Sequence, residues 1–319
     1  MAPEDNFSPS PEGPVLVIGG AGIDIVGQPK GELQPATSNP AQIRMSFGGV
    51  ARNVAENLAR LGQPVALITA VGEDESGEYL VKQTASAGVD VRAVRHTSDY
   101  STGIYLGIVN TNGLLRYALD DIRATADLTP AYIRQYAGLF KEASLLFLDA
   151  NLPRDSMRTV FSLAEKARLP ICADPTSTSL AGRLRSYLPR LHLITPNSSE
   201  AAILCDHTFE ASHRQEALEA AKCLVGQGVE IALVALAEFG VSYATSETSG
   251  YIPAIRTKIV DPTGAGDALT ATVLFALLND IPLDDAVRLG VTAASLTLRH
   301  RGTVVPDLSL EMLYDQLVI

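Results

Sequence analysis

Gly264, Ala265, Gly266 and Asp267 stand at the head of an apolar run that continues to Leu278. Free backbone N–H groups at a helix start, backed by the helix dipole, form a binding place for an anion. A carboxylate directly after them is placed to take a proton from a hydroxyl. Phosphoryl transfer needs both at one spot, because positioning and charge stabilisation do most of its work. The same residues also suit plain helix capping, since Gly and Asp are routine near helix starts. Taken alone, the four residues leave both readings open. Two other phosphate loops are missing or broken. No GxxxxGK[ST] occurs, and the GxGxxG-like start at Gly20 carries Ile25 in its last glycine position.

Two more segments carry candidate chemistry. FGGVARNVAENLARLG, Phe47 to Gly62, opens an amphipathic helix with paired glycines and puts Arg52 and Asn53 in its first turn. LITPNSSEAAIL, Leu193 to Leu204, ends a strand and starts a helix with Asn197 and Glu200 three apart on one face. That pair is either a capping box or a Mg²⁺-water site, because Mg²⁺ keeps its waters and is held by few oxygen side chains plus phosphate oxygens. The five histidines form no HExxH, and His207 and His213 read as surface residues.

The elements that must position these residues follow an α/β alternation. Apolar strand-length runs fall at Val15–Ile18, Val65–Thr69, Leu145–Leu148, Ile171–Ala173, His192–Ile194 and Ile231–Ala235. Helix patterns fall at Val50–Leu61, Ser76–Ala87, Arg154–Ala167, Ser198–Leu204, His213–Val225, Ala265–Leu278 and Leu283–Leu298. Such alternation predicts a mostly parallel central sheet with helices on both faces. Residues from about 28 to 47 and from about 103 to 117 break the pattern as extended segments, the second with a hairpin-like turn at Thr111–Gly113. They are expected to form a small β-sheet lid.

With 319 residues, 46% of them hydrophobic, and a mean hydropathy of +0.15, the chain supports one large domain over residues 14–319. Residues 1–13, acidic and rich in Pro and Ser, read as a disordered tail. A net charge of −11 argues against nucleic acid or an anionic membrane as partner, so any phosphate must be held by local donors. Cys172, Cys205 and Cys223 form no CxxC pair and read as reduced thiols of a cytoplasmic protein. No apolar run reaches membrane-spanning length.

Together the three segments, in this order and spacing, resemble the PfkB family of carbohydrate and nucleoside kinases. One signature is carried by Gly48, Gly49, Val50, Ala51, Asn53, Ala55, Gly62 and Gly72, the other by Asp261 to Asp267 with Ala271, and the NxxE motif by Asn197 and Glu200. The resemblance covers nearly the whole chain from Val15 onward. It implies a three-layer αβα ribokinase-like fold and ATP-dependent phosphorylation of a primary hydroxyl on a sugar or nucleoside. By that resemblance Asp267 is the catalytic base, and the backbone of Gly264, Ala265 and Gly266 stabilises the transferring phosphoryl group. Asn197 and Glu200 organise Mg²⁺ and its waters. Nucleotide contacts fall at Asn197, Ala235, Ala237, Gly240, Thr263, Gly264 and Gly266, and a monovalent cation such as K⁺ is placed near Asp261. Asp24 binds sugar hydroxyls, with Gly48, Gly49 and Asn53 closing the other side. A homodimer through the lid is a further expectation.

Within the family, the stretch from Ala36 to Gly62, LDDI at Leu119–Ile122 and FLDANLP around Asp149 and Asn151 resemble pseudouridine kinases most. The acceptor expected is therefore a ribonucleoside 5′-hydroxyl, with Asn39, Asp121, Asp149 and Asn151 as further substrate contacts. For Asn39 and Asp121, turn chemistry is an equal alternative. Thr272 stands where the second signature carries Gly or Ala, and Ala235 and Ala237 replace a hydroxyl residue and a glycine. These departures bear on nucleotide binding. They keep open a non-catalytic sugar- or nucleoside-binding protein; a sugar kinase of the same family acting on ribose or a ketohexose is a separate alternative.

Overall fold

The run VLVI at Val15–Ile18 is buried on every residue, so both its faces must be covered. The computed structural model, which describes residues 13–111, 115–207, 214–236 and 240–317, places it inside a nine-stranded sheet. In chain order the strands are β1 Val15–Ile18, β2 Gly22–Pro29, β3 Ala41–Gly48, β4 Val65–Gly72, β5 Val94–Thr97, β6 Gly103–Val109, β7 Leu115–Asp121, β8 Leu145–Asp149, β9 Ile171–Asp174, β10 Leu193–Ile194, β11 Ile231–Ala235, β12 Gly240–Ala244 and β13 Ser249–Pro253. The helices are α1 Val50–Arg60, α2 Glu75–Ser86, α3 Pro130–Gln135, α4 Ala137–Glu142, α5 Arg154–Ala167, α6 Thr178–Ala181, α7 Ser198–Cys205, α8 Arg214–Gly226, α9 Ala265–Leu278, α10 Leu283–Arg299 and α11 Leu310–Asp315.

The large sheet runs β13-β12-β11-β10-β9-β8-β1-β4-β5, parallel throughout except for the antiparallel β11–β12–β13 edge. Alternate residues of β1 enter different cores. Leu16 and Ile18 pack with Met157, Val160 and Phe161 of α5 and with α7 and α8. Val15 and Val17 pack with Val54 and Leu58 of α1 and with α9 and α10. The expected three-layer αβα fold is therefore present. No helix among the described residues is long and apolar enough to cross a membrane.

A second sheet of four strands, β3-β2-β6-β7, forms the lid; β2 and β6 are parallel and the outer pairs antiparallel. Its strands span 22–48 and 103–121, wider than the expected 28–47 and 103–117. The reason is local: β2 starts at Gly22, where a side chain would strike the Gly103 carbonyl, 2.6 Å from a Cβ placed there. Asp24 is thus a lid residue. The tail 1–12, Asn112 and Gly113 of the hairpin tip, and His213 lie outside the described residues.

Candidate active site

Three carboxyl and amide groups from distant segments converge on one cavity of about 220 Å³. Asp24 comes from β2, Asn53 from the first turn of α1 and Asp267 from the first turn of α9. Asn53 Nδ2 donates to Asp267 Oδ2 at 2.7 Å, which leaves the other carboxylate oxygen for an acceptor hydroxyl. Burial pushes the Asp267 carboxyl up to about 6 and that of Asp24 up to about 7. Asp24 is raised further by Asp267 itself, while Arg52 draws both downward. A base tuned near the working pH is what proton removal from a hydroxyl requires. Gly48 lies against Asp24, and a Cβ there would collide with the carboxylate.

Sheet pairing sets the roof of this cavity. Asp24 stands opposite Tyr105 of β6, and Tyr105 opposite Asp120 of β7, so all three point the same way, and all three line the cavity. The cavity opens past Asp120, Ile122, Asn151 and Leu180, which it shares with an outer groove of about 650 Å³. The inner space is below the roughly 300–1,000 Å³ of small-molecule pockets, and the two together are within it.

At the floor, α9 begins with Gly264 in the left-handed region, φ +82. A side chain there would strike the Thr303 carbonyl, so only glycine lets the turn pack. Nothing lies within 4 Å of a Cβ at Gly266, so the first turn faces open space beside Asp267. The first turn of α9 thus stands open beside the Asp267 carboxyl. Thr263 lines the cavity too, and its N–H donates to Asp261 Oδ1 at 3.0 Å.

Asn197 and Glu200 form the reciprocal capping box. Glu200 N–H donates to Asn197 Oδ1 at 3.0 Å, and Asn197 N–H to Glu200 Oε2 at 2.9 Å. This accounts for one Glu200 oxygen, Oε2. Burial raises Glu200, and burial together with Glu200 raises Asp174 at the end of β9. Two facing carboxyl groups that resist ionising are relieved by a bound cation. Among the described residues no group of three or more metal-type side chains assembles. Ala235 ends β11 with its N–H on the Pro196 carbonyl at 2.9 Å, beside the NxxE turn. Gly240, φ +116, returns the chain into β12; Ala237 between them lies outside the described residues.

Several sequence-derived contacts sit elsewhere. Asp149 is fully buried beneath the cavity, where it accepts from Gly20, Ala51 and Asn151 N–H groups at 2.8, 3.0 and 2.9 Å. It pins α1 to the sheet and does not line the wall, because the end of β8 points it at those amides. Asn39 is spent on its own loop, bonded to Gln34 and Thr37. Asp121 is turned away from the inner cavity and pairs with Arg123 at 2.7 Å on the outer groove; strand alternation makes its neighbour Asp120 the inward residue. Thr272 fits in the α9 core, fully buried, with a hydroxyl that has no partner. Tyr105, Asp120 and Asp174 carry no role in the sequence reading, and Arg52 appears there only as a first-turn neighbour of Asn53. Asp174 alone carried a signal, a carboxylate at the end of a parallel strand.

Comparisons with known proteins identify the family. The model for the pfkB family carbohydrate kinases matches residues 14–309. Pseudouridine kinase of Escherichia coli K12 is 31% identical over 297 residues, covering 93% of this chain and 94% of that protein. Ribokinase of Haemophilus influenzae is 26% identical over 259 residues, covering 81% and 83%. Among solved structures, a carbohydrate kinase from Agrobacterium tumefaciens superposes with a TM-score of 0.80 at 28% identity, covering 96% and 97%. The chain belongs to the pfkB family of carbohydrate kinases, phosphotransferases that act on an alcohol group.

Proposed function

We propose that this kinase phosphorylates the 5′-hydroxyl of a ribonucleoside, pseudouridine in particular, with MgATP as donor. The observation that carries this is the shape of the acceptor space. An inner cavity of ribose size holds Asp24, Asn53 and Asp267, and it opens past apolar Ile122 and Leu180 into a wider groove suited to a base. Asp24 accepts from the two ring hydroxyls of a ribose. Asp267 receives the proton of the 5′-hydroxyl while Asn53 holds its other oxygen. Tyr105, Asp120 and Asn151 meet the base. The 31% identity to pseudouridine kinase over 93% of this chain favours that nucleoside.

Bound MgATP supplies the phosphoryl group and the charge that steadies it. The N–H groups of Gly264, Ala265 and Gly266 face that group, with Thr263, Ala235 and Gly240 bordering the nucleotide. Asn197 and Glu200 hold Mg²⁺ through water. A monovalent cation is assigned to Asp261, a carboxylate only 4% exposed. The inner cavity by itself also suits a free pentose, which favours a ribose kinase as the second reading. Initial rates with pseudouridine, uridine, adenosine, ribose and fructose separate the two. Pseudouridine is expected to give the highest kcat/KM; turnover of a free sugar with none of the nucleosides would reject the nucleoside reading.

We place a second copy of the chain on the outer face of the lid. Pairing aligns Met45, Ile25, Leu106 and Leu119 across all four strands, flanked by Ile43 and Tyr117. Met45, Ile43, Leu119 and Tyr117 are 69%, 67%, 68% and 62% exposed, a stripe of apolar surface that two-fold pairing would cover. Light scattering is expected to show a dimer that Met45→Glu with Leu119→Glu converts to a monomer. A wild-type monomer at assay concentrations would contradict it. Three free cysteines fit a cytoplasmic setting.

A further inference from the structure

Arg52 is 3% exposed, and its guanidinium reaches four separate parts of the site. Nη1 donates to Asn53 Oδ1 at 2.9 Å, to the Phe47 carbonyl at 3.2 Å and to Thr303 Oγ1 at 3.4 Å. Nε donates to Thr84 Oγ1 of α2 at 3.4 Å, and Nη2 pairs with Glu56. Phe47 belongs to lid strand β3, and Thr303 is the residue packed against Gly264. Thr303 Oγ1 in turn donates to the Phe47 carbonyl. One buried cation therefore ties the lid root, the acceptor-side amide and the phosphate turn together.

We propose that Arg52 is the positioning residue of this kinase, fixing the Asn53 amide so that its Nδ2 faces Asp267 and locking α1 to the lid root and the Gly264 turn. An amide has one acceptor oxygen and one donor nitrogen, so a donor fixed on Oδ1 decides where Nδ2 points. With Arg52 on Oδ1, Nδ2 donates to Asp267 Oδ2 and the second carboxylate oxygen stays free for the hydroxyl proton. Without Arg52 the amide can turn over and set an oxygen against the carboxylate. Lysine does not replace this, because a point charge lacks the fork that reaches several acceptors at once.

Arg52 has a second effect on the same site. The carboxyl groups that face Asp267 are Asp24 from β2, Asp149 from β8, Asp174 from β9 and, near Asp24, Asp261 ahead of α9. Arg52 is the cation that acts on Asp24 and Asp267, with Glu56 behind it shared with Arg60 at 2.9 Å. A buried ion network is costly to assemble and adds little to stability over apolar packing. Its placement here is accounted for by the site it orders.

The proposal rests on the kinase reading only for its choice of acceptor. Wild-type turnover tests that reading; the ratio of variant to wild type tests this one, with whichever acceptor the wild type uses. Two forms are compared, Arg52→Lys and the neutral double variant Arg52→Met/Glu56→Leu. Arg52→Lys is expected to bind acceptor at least 10-fold more weakly by calorimetry without nucleotide. Its kcat is expected to fall about 10–100-fold, with the acidic limb of its pH profile unmoved. The double variant is expected to show the same losses and an acidic limb moved up by about one pH unit, because carboxyl groups without the neighbouring cation hold protons more tightly. Combining Arg52→Lys with Asn53→Ala is expected to cost clearly less than the two losses added, since Arg52 acts in large part through that amide. A folded Arg52→Lys with acceptor affinity and kcat within 3-fold of wild type would overturn the proposal. So would a loss that adds fully to that of Asn53→Ala. If the double variant does not fold, the lysine variant and its cycle decide.

Discussion

Asp267→Asn is expected to lower kcat by about 10²–10⁴-fold, the range for losing a positioned general base, and to leave the fold intact. The replacement is isosteric and can still offer an oxygen to Asn53 Nδ2, so acceptor geometry is kept and only the proton acceptor is removed. Folding should not suffer, because burial of the native carboxyl already disfavours its charge, as its rise to about 6 shows. The wild-type pH profile follows from the same fact. The base works only when ionised, so kcat/KM should fall as the pH drops through about 6, and the contribution of Asp267 to this limb should vanish in the variant. Steady-state rates between pH 5 and 9, with thermal unfolding alongside, check both. Near-normal turnover by Asp267→Asn would remove the base from the account.

Asp24→Asn is expected to trade activity for stability. In the fold, burial and the neighbouring Asp267 raise this carboxyl from an ordinary value of 3.8 to about 7. The folded state therefore holds its proton more tightly than the unfolded chain. That contribution is complete below about 4 and is lost as pH rises through about 7. At pH 8 the charged group costs at most about 4 kcal/mol, taking about 1.4 kcal/mol per pH unit. Because Asn removes the charge but still buries a polar group, a gain of about 1–3 kcal/mol is the expected effect of Asn at pH 8, shrinking to nothing near pH 4. Acceptor kcat/KM should fall about 10²–10⁴-fold, since two hydrogen bonds to a charged group at about 1.5–3 kcal/mol each are weakened. Urea unfolding at pH 8 and pH 4, with acceptor kinetics at pH 8, checks the pair. Equal stability of variant and wild type at both pH values would show that Asp24 is not held against its charge.

Much of the frame is legible in local pattern. The continuous apolar runs at β1, β4, β8, β9, β10 and β11 read as buried parallel strands, and α5 and α9 begin and end where their periodicity does. The additions at the sheet edges do not read that way. β5 and β13 are short and partly exposed, and α3, α4, α6 and α11 have too few turns for a periodic signal. The site shows the same division. Asp24, Asn53 and Asp267 lie in motifs whose glycines advertise close backbone approach, and the fold brings them to one cavity. Asp149 is equally polar at a strand end, but its direction is decided by Gly20 and Ala51, about a hundred residues away in the chain. Between Asp120 and Asp121 only strand register chooses, and register is set by pairing with Tyr105 and Ile104. Arg52 reads as an ordinary helix residue because two of its partners, Thr84 and Thr303, are remote in sequence.

The glycine turn and the base together make one claim, that a phosphoryl group passes to a ribose 5′-oxygen beside Asp267. The most direct measurement is to incubate the chain with MgATP and pseudouridine and record the ³¹P–¹H couplings of the product. The account predicts one new phosphomonoester signal coupled to the two 5′-methylene protons, formed with one ADP per product and about 10²–10⁴-fold more slowly with Asp267→Asn. A phosphate on another oxygen, or no product while ATP is merely hydrolysed at the same rate without acceptor, would contradict it.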